Sequence, residues 1–123
     1  SDVYKRQVVS IQEVAEQLGV STHALRYYEK EGLIAVPRDA HGTRIFDEES
    51  ISAARFIATC RQAGMSLADI RTILSNPDDH ALSIDVMERA RQKIEDEIVG
   101  LQQNLEHLDR RIQEHRRHLD STR

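Results

Sequence analysis

Ser10-Ile11-Gln12-Glu13-Val14-Ala15-Glu16-Gln17-Leu18-Gly19-Val20-Ser21-Thr22-His23-Ala24-Leu25-Arg26-Tyr27-Tyr28-Glu29-Lys30-Glu31-Gly32 carries two helix starts and two helix stops within 23 residues. Ser10 followed by Glu13 has the spacing of a capping box, and Ile11, Val14, Ala15 and Leu18 fall on one face of the helix it opens. Gly19 supplies the stop, because a glycine adopts the left-handed conformation that ends a helix without a Cβ penalty. Ser21 then caps a second helix, from Thr22 to about Lys30, and Gly32 ends it. Two short helices joined by a tight glycine turn predict a helix-turn-helix.

Downstream, Leu33 or Ile34, Val36 and then Ile45 give alternating apolar positions around Pro37-Arg38-Asp39-Ala40-His41-Gly42. This pattern predicts two short strands and a loop, the layout of a wing beside a helix-turn-helix. Asp47 suits the cap of a third helix reaching about Ala63, with Glu48 and Glu49 in the first turn and Ile51, Ala54, Ile57 and Ala58 inward. After Gly64, Ser66-x-x-Asp69 opens a fourth helix, with Leu67, Ile70, Ile73 and Leu74 on one side. Asn76-Pro77-Asp78-Asp79 breaks it and marks a domain boundary. The expected organisation is a lead at 1–7, read as disordered or as a cloning or sequencing scar, a DNA-binding domain at 8–75, a linker at 76–80, a dimerisation helix at 81–119 and a tail at 120–123.

Within that last helix the apolar seam is Met87, Ala90, Ile94, Ile98, Leu101, Leu105, Leu108, Ile112, His115 and Leu119. From Ile94 onward the steps alternate four and three, the coiled-coil repeat, over a helix of roughly 58 Å. The earlier steps insert a stutter near Ile94. One helix cannot bury such a stripe alone, so a second copy is the expected partner, with Ile94, Ile98, Leu101, Leu105, Leu108 and Ile112 at the interface. The seam by itself leaves parallel and antiparallel pairing open.

Composition narrows the class. Of 123 residues, 31% are charged and 4% aromatic, which favours a helical core of aliphatic side chains. The formal charge is −4, and the tail carries most of it: residues 1–75 hold nine Lys/Arg and ten Asp/Glu, residues 76–123 eight and eleven. Net acidity opposes nucleic-acid binding, which gains affinity when Lys and Arg displace counterions from phosphates. Between Ser21 and Arg44, however, Arg26, Lys30, Arg38 and Arg44 outnumber Glu29, Glu31 and Asp39. With no membrane-length apolar run and no signal-peptide core, the expected compartment is the cytoplasm. Cys60 is the only cysteine, which rules out an intrachain disulfide or a cysteine-rich metal site within one chain. No Gly-rich phosphate loop, paired base for Cys60 or carboxylate pair suggests an enzyme, and no cofactor is expected.

The chain resembles the MerR family of transcriptional regulators. The resemblance is carried by Ile11-Gln12-Glu13-Val14-Ala15, Leu25-Arg26-Tyr27-Tyr28-Glu29 with Gly32-Leu33-Ile34, Arg38 through Gly42-x-Arg44, and Ala63-Gly64-Met65-Ser66-Leu67 with Ile70. It extends from Val9 to Leu119 and points to the short AdhR/NmlR-like branch that lacks a separate ligand-binding domain. It implies a mainly α fold, a winged helix-turn-helix followed by a long helix pairing as an antiparallel coiled coil. It also implies a homodimer on a near-palindromic double-stranded promoter site, beside RNA polymerase, controlling transcription by distorting the DNA in response to a small-molecule or redox effector. Deformation is a form of indirect readout, its cost offset by protein contacts.

Carried onto this chain, the family pattern puts Ser21, Thr22 and His23 at the start of the recognition helix and Arg26 at a base or phosphate. One of Tyr27 and Tyr28 donates its hydroxyl to a phosphate while the other packs inward. Arg38 and Arg44 on the wing and Arg61 in the next helix would hold backbone, which positions without specifying. The wing departs from the usual Gly-Tyr-Arg-x-Tyr, with Thr43 and Phe46 in place of the tyrosines, so a hydroxyl contact at Phe46 is lost. Cys60 is the candidate sensor of electrophiles or oxidants, with Arg61 available to lower its pKa. It stands one place later than in the short branch, a rotation of 100° on a helix, and its alternative role is a small packing residue. His107, Glu114, His115 and His118 form the one imaginable metal set, but His115 is a seam position and no metal is expected. Two other readings use the same residues: an architectural or repressor protein that senses nothing, and a coiled-coil protein-interaction module.

Overall fold

A computed structural model describes residues 9–122, so the expected lead at 1–7 lies outside the described residues. These hold five helices, labelled here α1 (Ile11–Leu18), α2 (Thr22–Lys30), α3 (Glu48–Gln62), α4 (Leu67–Ser75) and α5 (His80–Ser121). The chain divides into two compact units, Ser1–Ser83 and Ile84–Arg123.

In the first unit α1 packs on α2 and α3, and α3 packs on α4. Val14, Leu25, Phe46, Ala54, Ile57 and Ile70 are fully enclosed, joined by Ile11, Tyr28, Ala58 and Ile73. Each enclosed Val, Leu, Ile or Phe side chain contributes about 1.5–3 kcal/mol, which is how short helices of eight and nine residues hold their shape. Leu18, Ile51, Leu67 and Leu74, expected on inward faces, are only half-buried. The turn between α1 and α2 rests on Gly19 at φ 66°. The Val20 N–H donates to the Ala15 carbonyl at 3.1 Å, closing the end of α1 as a Schellman-type cap.

Caps fix the starts. The hydroxyls of Ser10, Ser21 and Ser66 accept from the N–H groups of Glu13, Ala24 and Asp69 at 3.2, 3.0 and 3.1 Å. The capping box expected at Ser10 forms by half, because the Glu13 carboxylate accepts from the Ser10 hydroxyl at 3.3 Å. The complete box lies at α3. Asp47 accepts from the Ser50 N–H at 2.9 Å, and the Ser50 hydroxyl accepts from the Asp47 N–H at 2.9 Å.

The wing differs from two strands. Among the described residues it has a single antiparallel bridge, Arg38 to Arg44, and a second bridge joins Val9 to Phe46. Pro37 has no N–H to extend a ladder, although its carbonyl accepts from Ile45 at 3.0 Å. Just beyond the bridge, the Asp39 carboxylate takes the N–H groups of His41 (2.8 Å) and Thr43 (3.0 Å), turning the chain at once. Phe46 is enclosed at 0% exposure. The ring that replaces a tyrosine therefore serves the core.

α5 runs unbroken through Gly100, its 42 residues spanning about 63 Å, and the second unit begins within it at Ile84. Its N-terminus is capped inside the expected linker, where Asp79 accepts from the Leu82 N–H at 3.1 Å. At the far end the Ser121 and Thr122 hydroxyls donate to the His118 and Leu119 carbonyls. Ile98, Leu101, Leu105, Leu108, Ile112 and Leu119 form an exposed apolar line, and Ile94 is half-buried. Among the described residues no helix is long and apolar enough to cross a membrane.

Candidate nucleic-acid interface

Leu25 and Tyr28 turn α2 toward the core, leaving Ser21, His23, Arg26 and Tyr27 exposed and Thr22 half-buried. The two tyrosines divide cleanly. Tyr28 is 7% exposed and Tyr27 is 42% exposed, so the inward ring is Tyr28 and the outward one Tyr27. Tyr28 is thereby set apart from the exposed candidates for DNA contact. Arg26 donates from Nη1 to the Thr22 hydroxyl at 3.3 Å, one turn earlier, which aligns its stem along the helix.

One turn further, Glu29 meets the wing. Its Oε1 accepts from Arg38 Nη2 at 3.0 Å and from Arg44 Nε at 2.7 Å. The Glu29 side chain is 17% exposed, and Arg44 is the more enclosed of the two arginines. Charge-assisted bonds of this length are among the stronger protein hydrogen bonds. Arg61, at the end of α3, donates from Nη1 to the Met65 carbonyl at 3.0 Å, closing the turn into α4.

Cys60 is buried in α3, and desolvation by its surroundings pushes its thiol above the usual range. The expected lowering by Arg61 is thus corrected. The Arg61 guanidinium is held by Met65, and burial, which disfavours the thiolate, governs Cys60. Among the described residues no three His, Cys, Asp or Glu side chains gather closely enough to hold a metal ion.

The family model for the MerR HTH family regulatory protein matches residues 9–77, and a second, MerR, DNA binding, matches residues 53–122. The chain belongs to the MerR family of helix-turn-helix regulatory proteins. A MerR relative in Haemophilus influenzae, the HTH-type transcriptional regulator ZntR homolog, is 30% identical over 96 residues, covering 77% of this chain and 71% of its own. The HTH-type transcriptional regulator AdhR of Bacillus subtilis is 45% identical over 60 residues, 48% of this chain and 43% of that one. Among solved structures, HiNmlR, a MerR family regulator lacking the sensor domain, bound to promoter DNA, superposes with a TM-score of 0.70 at 27% identity, over 80% of this chain and 79% of that one. The matched family is one of regulatory proteins.

Two residues that hold this MerR fold together were not singled out from sequence. Glu29 enters the sequence reading as part of the Leu25–Glu29 run and as a charge opposing DNA binding, with no role of its own, and its place nine and fifteen residues before its partners gives no local signal. Arg71 in α4 reaches Glu31 at the end of α2, forty residues away. A surplus arginine on a short amphipathic helix was the only hint.

Proposed function

We propose that this protein is a sequence-specific regulator that binds a near-palindromic promoter site as a homodimer and controls transcription by distorting the DNA, in the cytoplasm and beside RNA polymerase. The observation that carries the reading is the face of α2 that presents Thr22 and Arg26 and is joined through Glu29 to the two wing arginines. A recognition helix in the major groove presents such a line to base edges and phosphates, while the wing holds the flanking backbone. In this reading Ser21, Thr22, His23, Arg26 and Tyr27 meet the groove, and Arg38, Arg44 and Arg61 meet backbone. The exposed line from Ile98 to Ile112 supports pairing with a second copy, which places two recognition helices on two half-sites. Burial of Cys60 supports its packing role over the sensing one, so the effector acts elsewhere.

Selection of bound duplexes from a random pool, followed by salt titration of the winner, tests this. A near-palindrome whose affinity falls steeply with salt is expected. No enrichment at any salt would overturn the reading in favour of a protein-interaction module.

A further inference from the structure

We infer that Glu29 is a positioning residue for DNA recognition, its carboxylate setting both wing arginines while its charge holds down sequence-independent affinity. This rests on the DNA-binding reading above. Arg38 and Arg44 are the two bridge partners of the wing, and both donate to the same oxygen, Oε1. A single atom on the recognition helix thus fastens both sides of the hairpin. Within the hairpin itself the ladder is short, one bridge with the Ile45 N–H on the Pro37 carbonyl and the Asp39 N–H on the Thr43 carbonyl before the loop that Asp39 closes, so the Glu29 carboxylate is what ties its arginine side chains to α2.

The geometry also leaves the guanidiniums usable. Arg44 spends its Nε and Arg38 one Nη2 on Glu29, so the remaining N–H groups of each fork stay available to phosphate. Arginine forks lose less freedom per bond when they are already oriented, which favours the one backbone path that matches them. The charge acts the other way. Two cations sharing one carboxylate offer any duplex a weaker field than two unpaired cations, and sequence-independent affinity comes almost wholly from that field.

Loss of the carboxylate therefore moves two affinities in opposite directions. A residue needed only for folding would lower both. Full-length wild type, Glu29→Gln and Glu29→Ala are compared by fluorescence anisotropy on the selected duplex and on a scrambled one, over a salt series, with thermal melts by circular dichroism. Glu29→Gln keeps an acceptor, so selected-site affinity falls about threefold, against roughly tenfold for Glu29→Ala. Scrambled-duplex affinity rises about two- to threefold in both, with a steeper salt slope. Parallel weakening on both duplexes, unchanged discrimination, or failure of both variants to fold would each overturn the inference. If wild type itself neither discriminates nor responds to salt, the DNA-binding reading fails instead.

Discussion

Arg71 donates from Nη1 to the backbone carbonyl of Glu31 at 2.8 Å, joining α4 to the end of α2. Glu31 is the C-cap of α2, so the bond satisfies a carbonyl that the helix itself leaves open. A second contact, Arg71 Nη2 to the Glu31 carboxylate at 3.5 Å, is half-exposed and adds little. Arg71→Met keeps the apolar stem and removes the donors. It is expected to cost about 1–2 kcal/mol, read as a lower urea midpoint at unchanged slope. An unchanged midpoint would show that water replaces the guanidinium.

Asp47 makes stability depend on acid. The Ser50 hydroxyl, and then the Ser50 N–H, hold its carboxyl below the usual range. A depressed folded pKa gives stability that is present above the unfolded value of about 3.9 and lost as pH falls through the folded value. Asp47→Ala should cost about 0.5–2 kcal/mol at pH 7. The gap between wild type and variant should close below about pH 4; a constant gap would assign the loss to packing.

Arg26→Ala should weaken selected-site binding by about 1–3 kcal/mol. If Arg26 reads a base, the loss appears on the selected duplex and not on a scrambled one. If it holds phosphate, both weaken and the salt slope falls by about one. Unchanged affinity on both removes Arg26 from the interface.

Leu105, exposed in the isolated chain, belongs to the line that pairing would cover. Leu105→Asp would bury an unpaired carboxylate there. Sedimentation should show monomers where wild type shows dimers, with the melting of the first unit retained. A persisting dimer would place the interface on another face.

What was legible in the sequence was local. Serines, Gly19 and the apolar spacing of Ile11, Val14 and Leu25 announce both helices of the motif, because caps and faces depend on neighbours within one turn. Tyr27 and Tyr28 could not be assigned that way. They stand 100° apart at the edge of the buried face, and only packing decides which turns in. The wing was overstated as two strands because alternation in Leu33–Val36 registers burial, while Pro37 and the Asp39 turn limit the ladder. Glu29 was hidden by its own sign, since charge bookkeeping sees an anion subtracted from a basic patch and not a shared anchor.

The burial of Cys60 gives the chain an internal clock. With a single sulfhydryl, every molecule that reacts with a thiol reagent has reacted at one known atom. Cys60 is 7% exposed, so its reaction speeds up when α3 loosens from its neighbours, and the labelling rate reports how readily the winged domain opens. Bound duplex should slow the rate through mass action on the closed form. The same measurement compares the Arg71, Asp47 and Glu29 variants without any attached probe.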